Sequence, residues 1–326
     1  MSIRSLIVGC GGYLPERSLS NDDLAAAYGL DTNDEWIIER TGIGRRHLAA
    51  PEETASSLGA AAARQALERA GMDASEIGLI VVATATPDSA FPSTAVRIQA
   101  LLGNTSGFGF DISAACAGFV FGLNIADNFI RSGQVKSALV IGTEVFSRIL
   151  DWSDRGTCVL FGDGAGAVVL KAGEGQGTAA DRGILSSHLH SDGRHGEILL
   201  VDGGAGSNGE PGKLRMTGKE VFRHAVSKLA AVVDEALEAN GLSHADVRWL
   251  VPHQANRRII DAMGRKLKLP PERVVVTVDR HANTSAASIP LALAEAVNDG
   301  RIQPGDLVAM EAIGGGLTWG ATLARF

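Results

Sequence analysis

GMDASEIGLIVVATATP (residues 71–87) is a turn, a capping residue and an uninterrupted β-rich run, and the chain uses that pattern twice. Residues 241–256, GLSHADVRWLVPHQAN, repeat the order. Each copy leads into a helical stretch, Val96 to Leu102 and Arg257 to Leu267. A short predicted strand follows, Phe108 to Ile112 and Arg273 to Val278. Small residues, SAACAG and HANTSAAS, then open Ala-rich helices ending near Gly133 and Gly300. A second strand comes next, SALVIGTE and DLVAMEAI, and each half closes on a glycine cluster and a strand, GDGAGAVVL and GGGLTWGATLARF. Strands alternating with helices predict an α/β fold with parallel sheets covered by helices. Six features recurring in order predict a duplicated unit. The Gly-rich junction lies near 171–183, which gives halves 1–175 and 176–326.

Duplication brings equivalent loops together at a pseudo-twofold axis. Cys116 opens one Ala-rich helix and is matched with Asn283 before the other. His253 follows a second-half strand and is matched with the Ala83–Thr86 region. All three are expected to converge.

The 326 residues are 45% hydrophobic, enough for a large core, and the net charge of −7 disfavours nucleic acid as a partner. Three scattered cysteines, Cys10, Cys116 and Cys158, form neither a disulfide framework nor a zinc pair. The opening MSIRSLIVGCGGYLP reads as a first strand rather than a signal peptide, and no apolar run approaches the ~20 residues of a membrane span. These features predict a cytoplasmic protein with reduced thiols and no membrane contact.

In GFDISAACAG (109–118), Cys116 stands where a strand gives way to a helix. Free N–H groups and partial positive charge at a helix start favour thiolate, so the thiol pKa is expected to fall. Small neighbours leave room for a substrate, and thiolates attack thioesters readily. The segment alone fits a nucleophile or a small buried hydrophobe equally well. VPHQANRRI shifts that balance by placing His253 at a strand's C-terminal end, where α/β sheets bind ligands. HANTSAAS adds Asn283 ahead of a helix, although an Asn there also serves as a cap.

ISAACAGF, VPHQANRRI, RHANTSAASIPLAL and GGGLTWG, with NDEWIIERTGIGRRH, SAFPSTA, DRGT and FGDGAGAVVL, resemble the β-ketoacyl-acyl-carrier-protein synthase III family of the thiolase superfamily, nearly end to end. The resemblance implies a thiolase-like five-layered αβαβα fold, a homodimer and a Cys116–His253–Asn283 triad. The implied reaction is decarboxylative Claisen condensation of an acyl-CoA primer with malonyl-acyl-carrier protein, without metal or other cofactor. It also implies an oxyanion hole from the backbone N–H groups of Cys116 and Gly315. No second catalytic cysteine stands near the C-terminal glycines and no second histidine replaces Asn283, which favours the Cys–His–Asn, decarboxylating type. The alternative is a related acyltransferase of secondary metabolism with another primer or acceptor.

The same resemblance assigns Trp36, Arg40, Arg155 and Asn256 to coenzyme A. It assigns Gln254, Ala255, Asn256, Arg257 and Arg258 to carrier-protein docking, with Arg258 foremost. The carrier is acidic, so an acidic enzyme needs a local basic patch, and RRIIDAMGRKLK supplies one. On that helix Ile259, Ile260, Met263 and Leu267 are expected to face the core. Phe91, Phe146 and Ile313 are assigned to the acyl pocket, Phe91 reaching across the dimer. Ile313 stands where an aromatic is common in acetyl-preferring members, which leaves primer length open. GDGAGA (162–167) precedes a strand, so it fails as a dinucleotide loop. SSHLHSDGRHGE (186–197) matches no zinc spacing and reads as a polar loop.

Overall fold

In the computed structural model, which describes residues 2–204, 206–207 and 209–326, both copies of the opening stretch fold alike. Asp73 caps a single turn: its side chain accepts from the Ser75 N–H at 2.8 Å, and Glu76 accepts from the Asp73 N–H at 2.9 Å. Ser243 and Asp246 form the corresponding box, with Asp246 accepting from the Ser243 N–H at 2.8 Å. Each turn feeds a short, fully buried strand.

The first half runs β1 (Ser2–Tyr13), β2 (Ser18–Ser20), α1 (Asn21–Tyr28), α2 (Asp34–Thr41), β3 (Arg45–His47), α3 (Ala55–Ala70), β4 (Leu79–Ala83), α4 (Thr94–Leu102), β5 (Phe108–Ile112), α5 (Gly118–Arg131), β6 (Ser137–Glu144) and β7 (Gly164–Gly175). The second runs β8 (Gly183–Ser191), β9 (Leu199–Val201), β10 (Leu214–Met216), α6 (Gly218–Ala239), β11 (Trp249–Pro252), α7 (Arg257–Lys266), α8 (Val278–His281), α9 (Ser288–Asn298), β12 (Leu307–Gly314) and β13 (Thr318–Arg325). The first sheet is ordered β1-β7-β6-β4-β5; the second, read from its β8 edge, is β8-β13-β12-β11. The pairing senses match as well. β4 lies parallel to β6 and β11 to β12, while β7 and β13 run antiparallel to both their neighbours.

Alternate residues of each sheet go to different cores. Val81 and Val140 of the first sheet meet Val251 and Met310 of the second around the buried faces of α5 and α9. Ile80, Val82 and Ile141 pack on α3 and α4, whereas Leu250, Ala309 and Leu323 pack on α6 and α7. The layers are therefore α, β, α, β, α. Strand β4 is apolar throughout because helices cover both its faces.

The expected strand Arg273–Val278 is corrected. Pro271–Arg273 forms a 3₁₀ turn, Val274 makes one isolated parallel bridge to Leu250, and α8 begins at Val278. The reason is the buried Gln254 side chain. Its Oε1 accepts from the N–H groups of Thr277 and Val278 at 2.8 and 3.0 Å, and its Nε2 donates to Val275 O at 3.1 Å. Backbone groups that would extend a ladder are taken by this amide.

The matching of Cys116 with Asn283 also shifts. Two 3₁₀ turns, Ala115–Ala117 and Ser285–Ala287, lead directly into α5 and α9, and both begin in the left-handed region, Ala115 at φ 45° and Ser285 at φ 50°. Cys116 therefore matches Ala286, Asn283 matches Ser113, and Ser288 matches Gly118.

The halves meet backbone to backbone. A Cβ on Gly142 of β6 would lie 2.1 Å from Ala286 O, and one on Gly314 would lie 2.5 Å from Cys116 N. Gly142→Ala is thus expected to lower unfolding free energy by about 3 kcal/mol or more in denaturant titration, above the usual cost of overpacking. Wild-type stability in that variant would refute the close approach.

Candidate active site

A cavity of about 780 Å³ is lined by Cys116, His253 and Asn283 together with Trp36, Arg40, Arg155, Asn256 and Arg258. The three expected catalytic residues are 6%, 4% and 5% exposed, so they lie at its buried end. The arginines keep their side chains about half in solvent, which marks the mouth.

Each buried side chain is held by backbone contacts of the segment that carries it. His253 follows β11, and its backbone N–H donates to Glu311 O at 2.8 Å. Its Nδ1 lies 2.6 Å from Ser288 Oγ. Asn283 bridges to the first half: its N–H donates to Leu160 O at 2.9 Å and its carbonyl accepts from Gly162 N at 3.1 Å. Asn283 Oδ1 accepts from the Ser285 N–H at 2.9 Å, which leaves the amide NH₂ as the free, donating end. Gly162–Ala167 is close-packed backbone beside the site; a Cβ on Gly166 would lie 2.6 Å from Leu291 N.

The expected thiolate is corrected. Burial pushes the Cys116 thiol up to about 12; Ser285 pulls the other way, and the nearby Glu144 carboxylate raises it further. Cys116 sits in the 3₁₀ turn ahead of α5, where desolvation outweighs the helix start. Burial likewise pushes His253 down to about 3, so the imidazole is neutral. It pushes Glu144 up to about 7, opposed by hydrogen bonds from Thr86, Ala85 and Thr84.

At the mouth, Trp36 is flanked by two guanidinium groups, with Arg40 Cζ 4.4 Å and Arg155 Cζ 5.1 Å from its ring centroid. Asn33 caps α2, accepting from the Trp36 N–H at 2.8 Å, and so fixes where that ring emerges. Asn256 caps α7, accepting from Ile259 N at 3.0 Å. Ile259, Ile260, Met263 and Leu267 are buried as expected. Arg258 is exposed and stands 5.6 Å from the Phe222 ring, whereas Arg257 pairs with Asp261 at 2.7 Å.

Gln254 is corrected as a docking residue: it is fully buried, and both ends of its amide serve the backbone described above. Ala255 lines the cavity. Phe146 and Ile313 are buried in the cavity wall, Phe146 stacked on Phe161 at 5.0 Å. Phe91 is 86% exposed and lies outside the cavity of its own chain. Gly315 lines the cavity beside Cys116, and a Cβ there would meet Leu199 O at 2.7 Å. The wall formed by Leu199, Val201, Leu214 and Met216 was missed, because β9 and β10 are three-residue strands around a polar loop. Ser288 was missed too, its serine reading as part of the small-residue run. The polar stretch 186–197 holds His188 and His190 on Glu235, at 3.0 and 2.7 Å. Among the described residues no three His, Cys, Asp or Glu side chains gather as a metal site, and no helix is long and apolar enough to cross a membrane.

Five layers from two like halves, with a cysteine of one half and a histidine and an asparagine of the other on one cavity, define a thiolase-like condensing enzyme. Residues 110–193 match the family described as 3-oxoacyl-[acyl-carrier-protein] synthase III, and residues 237–326 match its C-terminal part. The chain belongs to the β-ketoacyl-acyl-carrier-protein synthase III family, acyltransferases that initiate fatty-acid synthesis. It is 65% identical to the synthase III of Acidiphilium cryptum, over 99% of each chain, and 65% identical to that of Rhodospirillum centenum over the whole of both. The crystal structure of the 3-oxoacyl-[acyl-carrier-protein] synthase III from Aquifex aeolicus superposes with a TM-score of 0.92 at 46% identity, covering 99% of this chain and 100% of that one.

A buried neutral thiol makes reactivity climb with pH. Alkylation of Cys116 by iodoacetamide, followed by peptide mass spectrometry, is expected to keep accelerating beyond pH 9. A plateau reached by pH 7 would show a preformed thiolate.

Proposed function

We propose that residues 1–175 supply the nucleophile and residues 176–326 the charge-stabilising donors for condensing an acyl-CoA primer with malonyl-acyl-carrier protein. The observation that carries this reading is the shared cavity of Cys116, His253 and Asn283, opening past the Trp36–arginine sandwich. Trp36 stacks on the adenine of coenzyme A, Arg40 and Arg155 meet its phosphates, and Asn256 holds the arm leading inward.

Cys116 Sγ attacks the primer thioester. The carbon–sulfur bond to coenzyme A breaks, the thiol proton ends on the departing coenzyme A, and an acyl-cysteine remains. The backbone N–H groups of Cys116 and Gly315 hold the transient oxyanion. Malonyl-carrier protein then loses carbon dioxide, and the bonding pair passes into an enolate. His253 Nε2–H and the Asn283 amide donate to the enolate oxygen. The enolate carbon attacks the acyl-cysteine, a carbon–carbon bond forms, and the cysteine sulfur leaves as a thiolate that takes a proton from water to restore the thiol. No carbon-bound proton is abstracted, so neutral donors suffice and no metal or other cofactor is needed. The low pKa of His253 supports such a role, since a neutral imidazole donates without surrendering a formal charge.

Arg258 docks the acidic carrier, with Ala255 and Asn256 beside it and Arg257 more restrained by Asp261. The partner subunit is a second copy of this chain. This is supported by the unpaired edge of β5 and by exposed Phe91, Val96, Leu101 and Phe108 on that side. Phe91 completes the primer pocket from across that interface. Stacked Phe146 and Phe161 favour a short primer, while Ile313 leaves sideways room for a branched one. Three free cysteines fit a cytoplasmic setting.

Cys116→Ala is expected to abolish acylation by labelled acetyl-CoA. Asn283→Ala is expected to keep acylation yet slow carbon dioxide release from malonyl-carrier protein on the order of a hundredfold to a thousandfold. Undiminished decarboxylation in Asn283→Ala removes that residue from the role. Separately, Arg258→Glu is expected to raise the KM for malonyl-carrier protein about tenfold or more, well beyond its effect on the KM for acyl-CoA. Equal changes in both constants would place the carrier elsewhere.

A further inference from the structure

His253 and Ser288 approach from different elements, the end of β11 and the first turn of α9. Both are buried, and Ser288 Oγ lies 2.6 Å from His253 Nδ1. The same oxygen accepts from the Gln254 N–H at 3.3 Å. A serine hydroxyl carries one proton and two lone pairs. With Gln254 on a lone pair, the hydroxyl proton has His253 Nδ1 as its one acceptor among the described residues. We infer that Ser288 is a positioning residue that fixes the His253 tautomer, donating to Nδ1 so that the ring proton sits on Nε2 and faces the cavity. The inference rests on the role proposed above for His253.

The opposite tautomer fails on both sides of the ring. Nδ1–H would point at the serine oxygen and strand the hydroxyl proton in a dry interior. Nε2 would then present a lone pair to an oxygen that is gaining negative charge. The first half supplies an internal comparison. Gly118 holds the place of Ser288 there and has no hydroxyl, and Ala83 holds the place of His253, so no ring needs fixing. Gln254 locks the arrangement further: its side chain is tied to Pro252 O, Val275 O, Thr277 N and Val278 N, which sets the direction of its own N–H.

The test is nitrogen-15 NMR of histidine-labelled enzyme together with two variants. In the wild type, His253 is expected to show a protonated Nε2 and a bare Nδ1; the reverse overturns the inference. Ser288→Ala is expected to slow decarboxylation of malonyl-carrier protein about ten- to a hundredfold, with a much smaller loss in acylation of Cys116. Ser288→Thr keeps the hydroxyl and is expected to retain the Nε2 proton and most of the rate. Undiminished decarboxylation in Ser288→Ala overturns the inference, as does a Ser288→Thr enzyme equally slow while its ring keeps the Nε2 proton. A wild-type enzyme that never acylates Cys116 would instead sink the functional reading, leaving the tautomer measurement to stand alone.

Discussion

The active site depends on backbone meeting backbone between the two halves. β6 approaches the turn before α9 so closely that Gly142 has no space for a side chain, and β12 approaches the turn before α5 in the same way at Gly314. A Cβ on Gly118 would lie 2.9 Å from Ala83 Cβ and 3.5 Å from Ala286 Cβ. These contacts put a sulfur from one half and an imidazole and carboxamide from the other on one cavity. Any larger side chain in this layer would push the halves apart and separate groups that act together. The richness in glycine and alanine along these segments is therefore a requirement of the chemistry as much as of the packing.

That closeness also sets the electrostatics. Groups so far from water are held neutral: the thiol is raised, the imidazole lowered, and the Glu144 carboxyl lifted toward neutrality. A site made of neutral donors in a low-dielectric pocket has little to reorganise when charge appears, which is the condition under which fixed dipoles stabilise it best. The charges stay at the mouth instead. Arg40 and Arg155 remain half in solvent and Arg258 is exposed, so they can attract anionic partners without having been buried in the fold.

The fold was legible where physical chemistry acts locally. Capping boxes at Asp73 and Ser243, apolar runs in β4 and β11, and glycine stops after the helices are short-range signals that hold in any context. The duplication made the convergence of Cys116, His253 and Asn283 readable too, since equivalent loops of two like halves must meet. Two expectations failed for one reason: they depended on partners distant in sequence. Residues 273–278 have strand-like composition, but the Gln254 amide takes the hydrogen bonds a strand would use. Cys116 stands at a helix start, yet the second half buries it, and desolvation governs the thiol. Gln254 was assigned to docking by resemblance alone, and its side chain turns inward to serve the backbone.

Duplicated halves that have diverged separate structural positions from chemical ones. Both 3₁₀ turns keep the left-handed residue that opens them, Ala115 and Ser285, and that conformation costs of order 1–3 kcal/mol for a residue with a side chain. Retaining it twice means the geometry of turn and helix start is needed in both halves. The side chains on that shared frame differ: Cys116 against Ala286, Ser113 against Asn283, Gly118 against Ser288 and Ala83 against His253. One half keeps the nucleophile and small residues around it; the other has the donors and the hydroxyl beside the imidazole. A symmetric site would place two thiols or two imidazoles across the axis. The asymmetry sets a single sulfur against a bank of donors, as a reaction requires in which one group carries the acyl chain and the others hold the charge.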